Sequence, residues 1–194
     1  MAKVIITTVI TVDGLIEAPS LPPEGWLILE GDQEPRAFEM WQNAAGMLVG
    51  RKNYEGFAAV WPSMAGDGRW ADTLNPMKKW VASRTLSEPL EWNATLIEGD
   101  VAEGVRRLKA EHDRDLISSG AGNFARFLVE NGLVDELWFW VHPTVRGPGD
   151  RPFHKGDAID LKLLGSESFE SGITLLRYQP AGRFAPTPPS ASST

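Results

Sequence analysis

A glycine turn in the second half of the chain has the residue types needed to hold a phosphate group. Gly120 and Gly122 follow the apolar residues of a predicted strand, and an apolar pattern with helical spacing begins at Phe124. Glycine lets the backbone approach an anion closely, and the first turn of a helix offers unpaired N–H groups and the positive end of its dipole. The same glycines also suit a turn that only ends the strand and lets the helix pack closely. The turn therefore predicts either phosphate binding or packing.

The turn also fits the loose dinucleotide-binding pattern G-x-G-x-x-G/A, with Gly120, Gly122 and Ala125 at its small positions. The Rossmann form of this pattern opens the first strand–helix–strand unit, and an acid follows about 20 residues later. Here several predicted strands come first, and no clean strand-ending acid follows. A Rossmann dehydrogenase would also need a Tyr/Lys catalytic pair, for which the chain has two tyrosines, Tyr54 and Tyr178.

Basic residues follow two other predicted strands. Arg51 and Lys52 end the strand that contains Met47, and Ser83 and Arg84 end the next one. The carboxyl ends of parallel strands share one edge of a sheet, where ligands bind, and arginine offers a two-pronged hydrogen-bond donor to phosphate. Any one of these residues alone is explained by ordinary surface charge. Their joint placement, together with the glycine turn, predicts a nucleotide phosphate site.

Two glutamates, Glu34 and Glu39, bracket the start of a helix predicted from Pro35 to Ala45 and are candidate acids. Before them a segment from Leu15 to Asp32 contains three prolines and Trp26 and has neither helical nor strand spacing, so we expect an ordered loop that acts as a lid. Partial burial beside this loop would raise the pKa of a carboxyl group and let it steer a proton or hold a substrate N–H. The alternative is that both glutamates are simply solvated.

The predicted elements that position these residues alternate between strands and helices. The β-branched run from Val4 to Val12 predicts a central strand, and the segments Leu161–Phe169 and Ile173–Gln179 predict a closing hairpin. This order predicts an α/β fold with a mostly parallel central sheet, helices on both faces and a C-terminal antiparallel hairpin. Residues 1–180 are expected to form a single domain, and residues 181–194, rich in Pro, Ser and Ala, a disordered tail.

Local signals set the ends of several elements. Asp13 is expected to shape the turn after the first strand. A helix is expected to begin at Tyr54 and to stop before Pro62, with a loop from Pro62 to Gly68. Asp100 is expected to be the N-cap of a later helix.

Composition excludes several classes of protein. The formal net charge is −7, so the basic face needed for non-specific nucleic-acid binding is not expected. The chain contains no cysteine, which excludes disulfides, a thiol nucleophile and the thiolate zinc site of nucleobase deaminases. The three histidines lie far apart, so no metal site is expected. There is no signal-peptide pattern and no apolar run of about 20 residues, and we expect a soluble cytoplasmic protein without a membrane partner.

Trp138 and Trp140 alternate on a predicted strand, with Phe139 between them. One face of this strand is expected to be core, and the other is a candidate surface for a partner or a second subunit. A homodimer that forms through this region is therefore a hypothesis.

Five blocks of sequence together resemble the dihydrofolate reductase-like superfamily, in particular the group related to the reductase domain of the bacterial bifunctional riboflavin-pathway enzyme. They occur in the family's order over nearly the whole chain to about Pro180: TVDGLIEAP, MLVGRKNYEGFAAVWP, WVASRTL, DLISSGAGNFARFL and GLVDELWFWVHPTVRGPGDRPF. The last block, with Gly-Leu-Val-Asp-Glu and a Gly-x-Gly ending, is the most specific. The resemblance implies a three-layer dihydrofolate reductase-like fold.

The resemblance also implies NADPH as cofactor and a small-molecule substrate. The implied cofactor residues are Arg51, Lys52, Ser83 and Arg84 around the adenosine 2′-phosphate and Gly120, Ala121 and Gly122 at the pyrophosphate, with Gly50, Ser119 and Asn123 beside them. The implied substrate and lid residues are Asp13, Trp26 and Phe38, and the family's helix acid falls on Glu34. Ser119 stands where dihydrofolate reductases have the first of two paired glycines, which counts against true folate reduction but not against cofactor binding.

Three functions are compatible with these features. The leading hypothesis is an NADPH-dependent reductase that transfers a hydride to a small pterin-like or pyrimidine-like heterocycle or to a carbonyl compound, with Glu34 assisting protonation. The alternative is a non-catalytic nucleotide-binding module of the same fold. A Rossmann dehydrogenase, the third hypothesis, predicts a preference for NADH.

Overall fold

The computed structural model describes residues 1–16, 26–147, 149–153, 157–182 and 184. Most of the loop predicted as a lid, residues 17–25, lies outside the described residues. The same holds for the tail predicted over residues 181–194, of which only Ala181, Gly182 and Phe184 are described.

The helices and strands follow one another in the alternating order that the sequence predicts. In chain order they are β1 (Val4–Thr11), α1 (Glu34–Gln42), β2 (Gly46–Gly50), α2 (Arg51–Val60), a 3-10 helix (Trp61–Met64), α3 (Arg69–Leu74), β3 (Lys79–Ala82), β4 (Ala94–Leu96), α4 (Val101–Glu111), β5 (Leu116–Ser119), α5 (Asn123–Glu130), β6 (Glu136–His142), β7 (Leu161–Ser168) and β8 (Thr174–Pro180).

All eight of these strands form one sheet in the order β4-β3-β2-β5-β1-β6-β8-β7. Strands β1 to β6 pair only in parallel with one another. Strand β8 runs antiparallel to both β6 and β7, so the chain ends its sheet with a hairpin at one edge. The predicted α/β fold, with a mostly parallel sheet and a C-terminal antiparallel hairpin, is confirmed.

Two hydrophobic cores cover the two faces of the sheet. Successive side chains of a strand point to opposite faces, and accordingly Leu48 lies in one core and Val49 in the other. The core around Leu48 contains buried residues of α4 and α5, such as Val105 and Leu128. The core around Val49 contains residues of α1, α2 and α3. Helices therefore cover both faces, which confirms the predicted three layers.

The segment around α2 and α3 differs from the prediction in two places. Helix α2 begins at Arg51 rather than at Tyr54, because Gly50 is an extended N-cap and the helix starts one residue after the strand ends. Arg51 and Lys52 therefore belong to the first helical turn and do not end the strand. The loop predicted from Pro62 to Gly68 includes part of a 3-10 helix.

The N-cap predicted at Asp100 is confirmed, since its side chain accepts the Glu103 N–H at 2.9 Å.

Strand β6 is buried on both faces. Trp138 and Trp140 are 5% and 6% exposed in one core, and Phe139 is 9% exposed in the other. The interpretation that one face of this strand meets a partner is therefore wrong, because the two hydrophobic cores of the same chain cover both faces. Homodimerisation itself stays a prediction. The large apolar side chains exposed near this end of the sheet are Leu163 and Leu164 on β7.

Candidate cofactor and substrate site

The sheet register places the candidate cofactor residues together at the carboxyl ends of neighbouring strands. Gly50 pairs with Ala82, so the segments that begin at Arg51 and Ser83 leave the sheet side by side. Ser119 pairs with Thr7, and the Gly120 N–H continues this ladder by donating to the Thr7 carbonyl at 2.8 Å. The structure thus brings the glycine turn and both basic segments together at the edge formed by the carboxyl ends of β2, β3 and β5.

Two helices begin at this edge without a side-chain cap. The N-cap residues of α2 and α5 are Gly50 and Gly122, and neither helix has a side-chain hydrogen bond at its start. A Cβ atom at Gly50 would lie 2.8 Å from the Cβ of Phe124, so α5 starts directly against the end of β2. The first N–H groups of a helix need an acceptor. Two adjacent helix starts with glycine caps leave these donors available to an anion.

Asn53 joins the first turn of α2 to the end of β5. Its Nδ2 donates to the Ser119 carbonyl at 2.8 Å, which fixes the end of β5 against α2. Gly120 and Gly122 have φ angles of +87° and +118°, a conformation that favours glycine. Sequence reasoning did not identify Asn53 as a site residue. No local sequence signal marks Asn53, because its contact joins residues 66 positions apart in the chain.

The basic residues of this edge differ in how they are paired. Arg51 forms an ion pair with Glu55 at 3.1 Å, and both side chains are 45% exposed. Lys52 and Arg84 are exposed and form no ion pair with any part of the chain that the structure describes. Ser83 has another role, since its Oγ accepts the Leu86 N–H at 3.0 Å and shapes the turn. Lys52 and Arg84 are therefore the cations that remain available to a ligand.

Glu34 is held at the start of α1 by partners from α3. One carboxylate oxygen of Glu34 accepts the Trp70 Nε1–H at 2.8 Å and lies 2.8 Å from the guanidinium of Arg69. These hydrogen bonds from Arg69 and Trp70 lower the pKa of Glu34. The expectation that burial raises this pKa is wrong, because the ionised form has two donors and the group stays partly exposed. Phe38, one turn later, packs edge-to-face on Trp70 with 5.2 Å between ring centroids.

An apolar cleft of about 190 Å³ lies on the same face of the sheet as α1, α2 and α3. Four aromatic side chains, two aliphatic side chains and one hydroxyl line it: Trp41, Phe57, Trp61, Trp70, Met47, Leu74 and Ser119. Ser119 connects this cleft to the glycine turn, because it is the last residue of β5. Glu34 reaches the cleft only through Trp70 and is not one of its lining residues.

Asp13 ties two loops together at the ends of β1 and β6. Its carboxylate accepts the Thr11 hydroxyl at 2.6 Å and the Gly147 N–H at 2.8 Å. These hydrogen bonds lower the pKa of Asp13 to about 2. The prediction that Asp13 shapes a turn agrees with this geometry. Its predicted place among substrate residues is indirect, because the carboxylate is occupied by the protein itself.

Trp26 lies against His142, at the end of β6. The two rings meet edge-to-face with 5.4 Å between centroids, and both side chains are buried. His142 Nδ1 accepts the Ile28 N–H at 3.2 Å, and burial lowers the pKa of this imidazole. His142 was not predicted as a site residue, since a lone histidine on an aromatic strand carries no sequence signal. It anchors the C-terminal end of the predicted lid segment.

The described residues contain neither a candidate metal centre nor a membrane helix. Within them, no three His, Cys, Asp or Glu side chains gather as a metal ion would require. No helix in this part of the chain is both long and apolar enough to cross a bilayer.

Taken together, the parallel sheet and the glycine-capped helix starts at its carboxyl edge define an α/β protein with an anion-suited site. The chain matches the RibD C-terminal domain family over residues 2–175 and belongs to that family. This confirms the resemblance to the riboflavin-pathway reductase group, and it supports a reductase-type function.

Known proteins extend this match over nearly the whole chain. Uncharacterized protein YyaP of Bacillus subtilis (strain 168) is 28% identical over 185 residues, which cover 91% of this chain and 94% of that protein. The structure of a pyrimidine reductase-like protein from Corynebacterium diphtheriae has a TM-score of 0.60 at 13% identity, with 93% of this chain and 92% of that chain covered. RibD of Acinetobacter baumannii has a TM-score of 0.64 at 15% identity, and the alignment covers 94% of this chain but 59% of that one. These structural likenesses show the fold.

Proposed function

We propose that this protein is an NADPH-dependent reductase that transfers a hydride to a small heterocyclic or carbonyl substrate. The observation that carries the proposal is the pair of glycine-capped helix starts, α2 and α5, at one edge of the sheet. A pyrophosphate there would accept hydrogen bonds from two sets of otherwise unpaired N–H groups and would lie at the positive ends of two helix dipoles. Membership in the RibD C-terminal domain family supports the reductase class.

The basic residues of the same edge support NADPH rather than NADH. NADPH carries one additional phosphate on its adenosine ribose. Lys52 and Arg84 follow neighbouring strands and have no carboxylate partner within the described residues. Arg51 is half exposed and can turn from Glu55 toward a stronger anion. A phosphate held by these cations would favour the phosphorylated cofactor.

The apolar cleft beside Ser119 is the proposed substrate site. NADPH, when bound, supplies the hydride, and the chain's own residues bind and orient the substrate next to it. The aromatic walls of the cleft exclude water from a flat ring. Glu34 does not line the cleft and reaches it through the Trp70 indole, so we assign it the role of holding Trp70 and ordering a water molecule from which protonation proceeds.

A calorimetric titration with NADPH and NADH tests this proposal. The wild-type protein is expected to bind NADPH more tightly than NADH. Replacing Arg84 by Ala is expected to weaken NADPH binding by about 10-fold to 100-fold, the equivalent of one charge-assisted hydrogen bond, and to leave NADH binding unchanged. Arg107→Ala is the matched control, since Arg107 is an exposed arginine in the second half of α4. Absence of NADPH binding at millimolar concentration would refute the proposal.

A non-catalytic nucleotide-binding module is the second candidate function. The observation that favours it is the paired state of Glu34, whose partners hold it as a carboxylate that cannot donate a proton at neutral pH. Loss of NADPH absorbance with a panel of pterins, pyrimidines and quinones separates the two functions. For a reductase, Glu34→Gln should slow the oxidation of NADPH without changing its affinity. For a binding module, no compound in the panel should oxidise NADPH.

A further inference from the structure

The lining of the cleft beside Ser119 restricts the charge of any molecule that enters it. Apart from the Ser119 hydroxyl, its walls are the aromatic or aliphatic side chains of α1, α2, α3, β2 and the 3-10 helix. No Lys or Arg is among the described residues that line it. A phosphate or carboxylate placed between such walls would lose its hydration without gaining a partner, which is strongly unfavourable.

The basic side chains of α1 and α3 are already paired with carboxylates, and Lys79, which donates to the carbonyl of the lining residue Leu74, is fully buried within the chain. Arg69 forms an ion pair with Glu34 at 2.8 Å, and its guanidinium lies over the Phe38 ring at 4.7 Å. Arg36, on α1, is paired with Glu39 at 3.2 Å and with Glu167 at 3.4 Å. Turning either arginine toward a substrate anion would leave a carboxylate without its partner. Lys52 and Arg84, two exposed cations without an ion pair among the described residues, follow β2 and β3 at their carboxyl ends, where the cofactor is proposed.

The polar groups of the cleft are suited to a neutral ring. Trp41 and Trp61 line the cleft, and their indole N–H groups donate to no acceptor within the described ranges. Ser119 adds a hydroxyl, while its carbonyl is already used by Asn53. Neutral donors of this kind pair with the carbonyl oxygen of a ring. Indole and phenyl faces also stack on a flat ring.

We propose that the substrate bound by this cleft is an uncharged, flat compound of one or two fused rings with a ring carbonyl, and not a phosphorylated or carboxylated one. This proposal rests on the reductase function proposed above. A volume of about 190 Å³ matches the proposed size, because sites for larger, drug-sized ligands usually measure about 300–1,000 Å³.

Two pteridines that differ by one carboxylate group provide the test: pterin, which is neutral at pH 7, and its 6-carboxylate, which is an anion. Each is titrated by fluorescence into the full-length protein, with and without saturating NADP⁺. Pterin is expected to bind at least about 10-fold more tightly than the carboxylate. Phe57→Leu, inside the cleft, should weaken pterin binding several-fold and leave NADP⁺ binding unchanged. Phe127→Leu, on a partly buried phenylalanine of the opposite face, should change neither.

The outcomes separate this proposal from the proposed function. Equal or tighter binding of the carboxylate, or failure of pterin to bind a protein that does bind NADP⁺, would overturn the neutral-ring proposal and leave the reductase function standing. Failure of NADP⁺ to bind would refute the reductase function. In that case the titrations without cofactor still decide between the neutral and the anionic ring.

Discussion

The two ends of the parallel sheet, where its strands begin and where they finish, differ in how their cations are paired with carboxylates. Where the strands β1 and β6 begin, two cations meet carboxylates: Lys3 Nζ lies 2.7 Å from Glu136, and Lys109 Nζ lies 2.5 Å from Asp135. Where the strands end, Arg51 is paired with Glu55, but Lys52 and Arg84 have no such partner within the described residues. The first end is organised for stability, and the second retains charge that a ligand can use.

The hydrogen-bond donors at the two ends of the sheet also differ in whether a side chain accepts from them. At the beginning of the strands, Asp135 also accepts the Val4 N–H at 2.7 Å, and Glu136 accepts the buried Trp138 Nε1–H at 2.8 Å. At the carboxyl edge, α2 and α5 begin without a side-chain acceptor. Helix α4 starts on the same side of the sheet but is capped by Asp100. Helices α1 and α3 also begin without a side-chain cap, so what distinguishes α2 and α5 is that their glycine-capped starts lie against each other.

Of the substitutions that test this difference between the two ends of the sheet, Gly50→Ala is expected to have the largest effect. An alanine there would place its Cβ 2.8 Å from Phe124, which pushes α5 away from β2 and separates the two helix starts. Gly50→Ala should lower the free energy of unfolding by about 1–3 kcal/mol and weaken NADPH binding at least about 10-fold. Denaturant unfolding and calorimetry measure the two effects.

Gly56 provides the matched control for this substitution. It lies in the interior of α2, and an added Cβ would meet nothing within 4 Å. Gly56→Ala should raise the free energy of unfolding by about 0.5–1 kcal/mol and leave NADPH affinity unchanged. If the two glycine variants behave alike, the close contact of α5 with β2 does not form the site.

At the opposite edge, Glu136→Gln should affect stability alone. Its carboxylate has a lowered pKa, although burial opposes this, because Lys3 and Trp138 donate to it. Glutamine keeps the shape but not the charge, so we expect a loss of about 1–2 kcal/mol of unfolding free energy. NADPH affinity should be the same as in wild type. A clear loss of NADPH binding in a folded Glu136→Gln protein would contradict the division between the two edges.

Lys79 predicts a pH dependence of stability. Its side chain is fully buried at the start of β3, where Nζ donates to the Asn75 carbonyl at 3.0 Å and lies 3.8 Å from the centroid of the Trp92 ring. Burial lowers the pKa of Lys79 from 10.5 to about 7. Between these two values the unfolded chain binds the proton and the folded chain does not, so folding is stabilised as the pH rises.

The test compares wild type with Lys79→Met at a series of pH values. The wild-type protein should gain stability relative to the variant between pH 7 and pH 10, and the difference between their unfolding free energies should level off below pH 7. A difference that stays constant over this range would show that the carbonyls and the Trp92 ring keep Lys79 charged.

The smallest expected effect concerns self-association. Leu163 and Leu164 are 52% and 39% exposed on β7, the edge strand of the hairpin. An exposed apolar edge strand is a common site for pairing with a second chain. If the predicted homodimer forms here, sedimentation should show a dimer at micromolar concentration, and Leu163→Asp should dissociate it without affecting NADPH binding. A wild-type monomer under these conditions would rule out the dimer.

The sequence predicted the elements whose signals are local. The β-branched run of β1, the apolar stripe of α4 and its Asp100 cap, and the closing hairpin all lie close to their predicted positions. Each depends on residues near one another in the chain, so periodicity and capping identify them. The six-residue helix α3 was not predicted, because it is too short for a periodic pattern and follows a glycine-rich segment.

The arrangement of the site could be predicted only in part. From the predicted strand ends we expected Arg51, Arg84 and Ser119 to lie at the same end of the sheet, and the strand register confirms this placement. The contact of Asn53 with Ser119 joins residues 66 positions apart and has no local signal. The lowered pKa of Glu34 depends on Arg69 and Trp70 from α3, an element that sequence reasoning missed. Pairing of this kind is a property of tertiary structure.

The central claim is that the glycine-capped starts of α2 and α5 hold the cofactor, and amide NMR during titration with NADPH tests it most directly. The largest chemical-shift changes should occur at the amides of residues 51–53 and 120–124, with little change around Lys3 and Glu136. Saturating NADPH that leaves these two segments unchanged, or that shifts mainly the amides where the strands begin, would contradict the assignment.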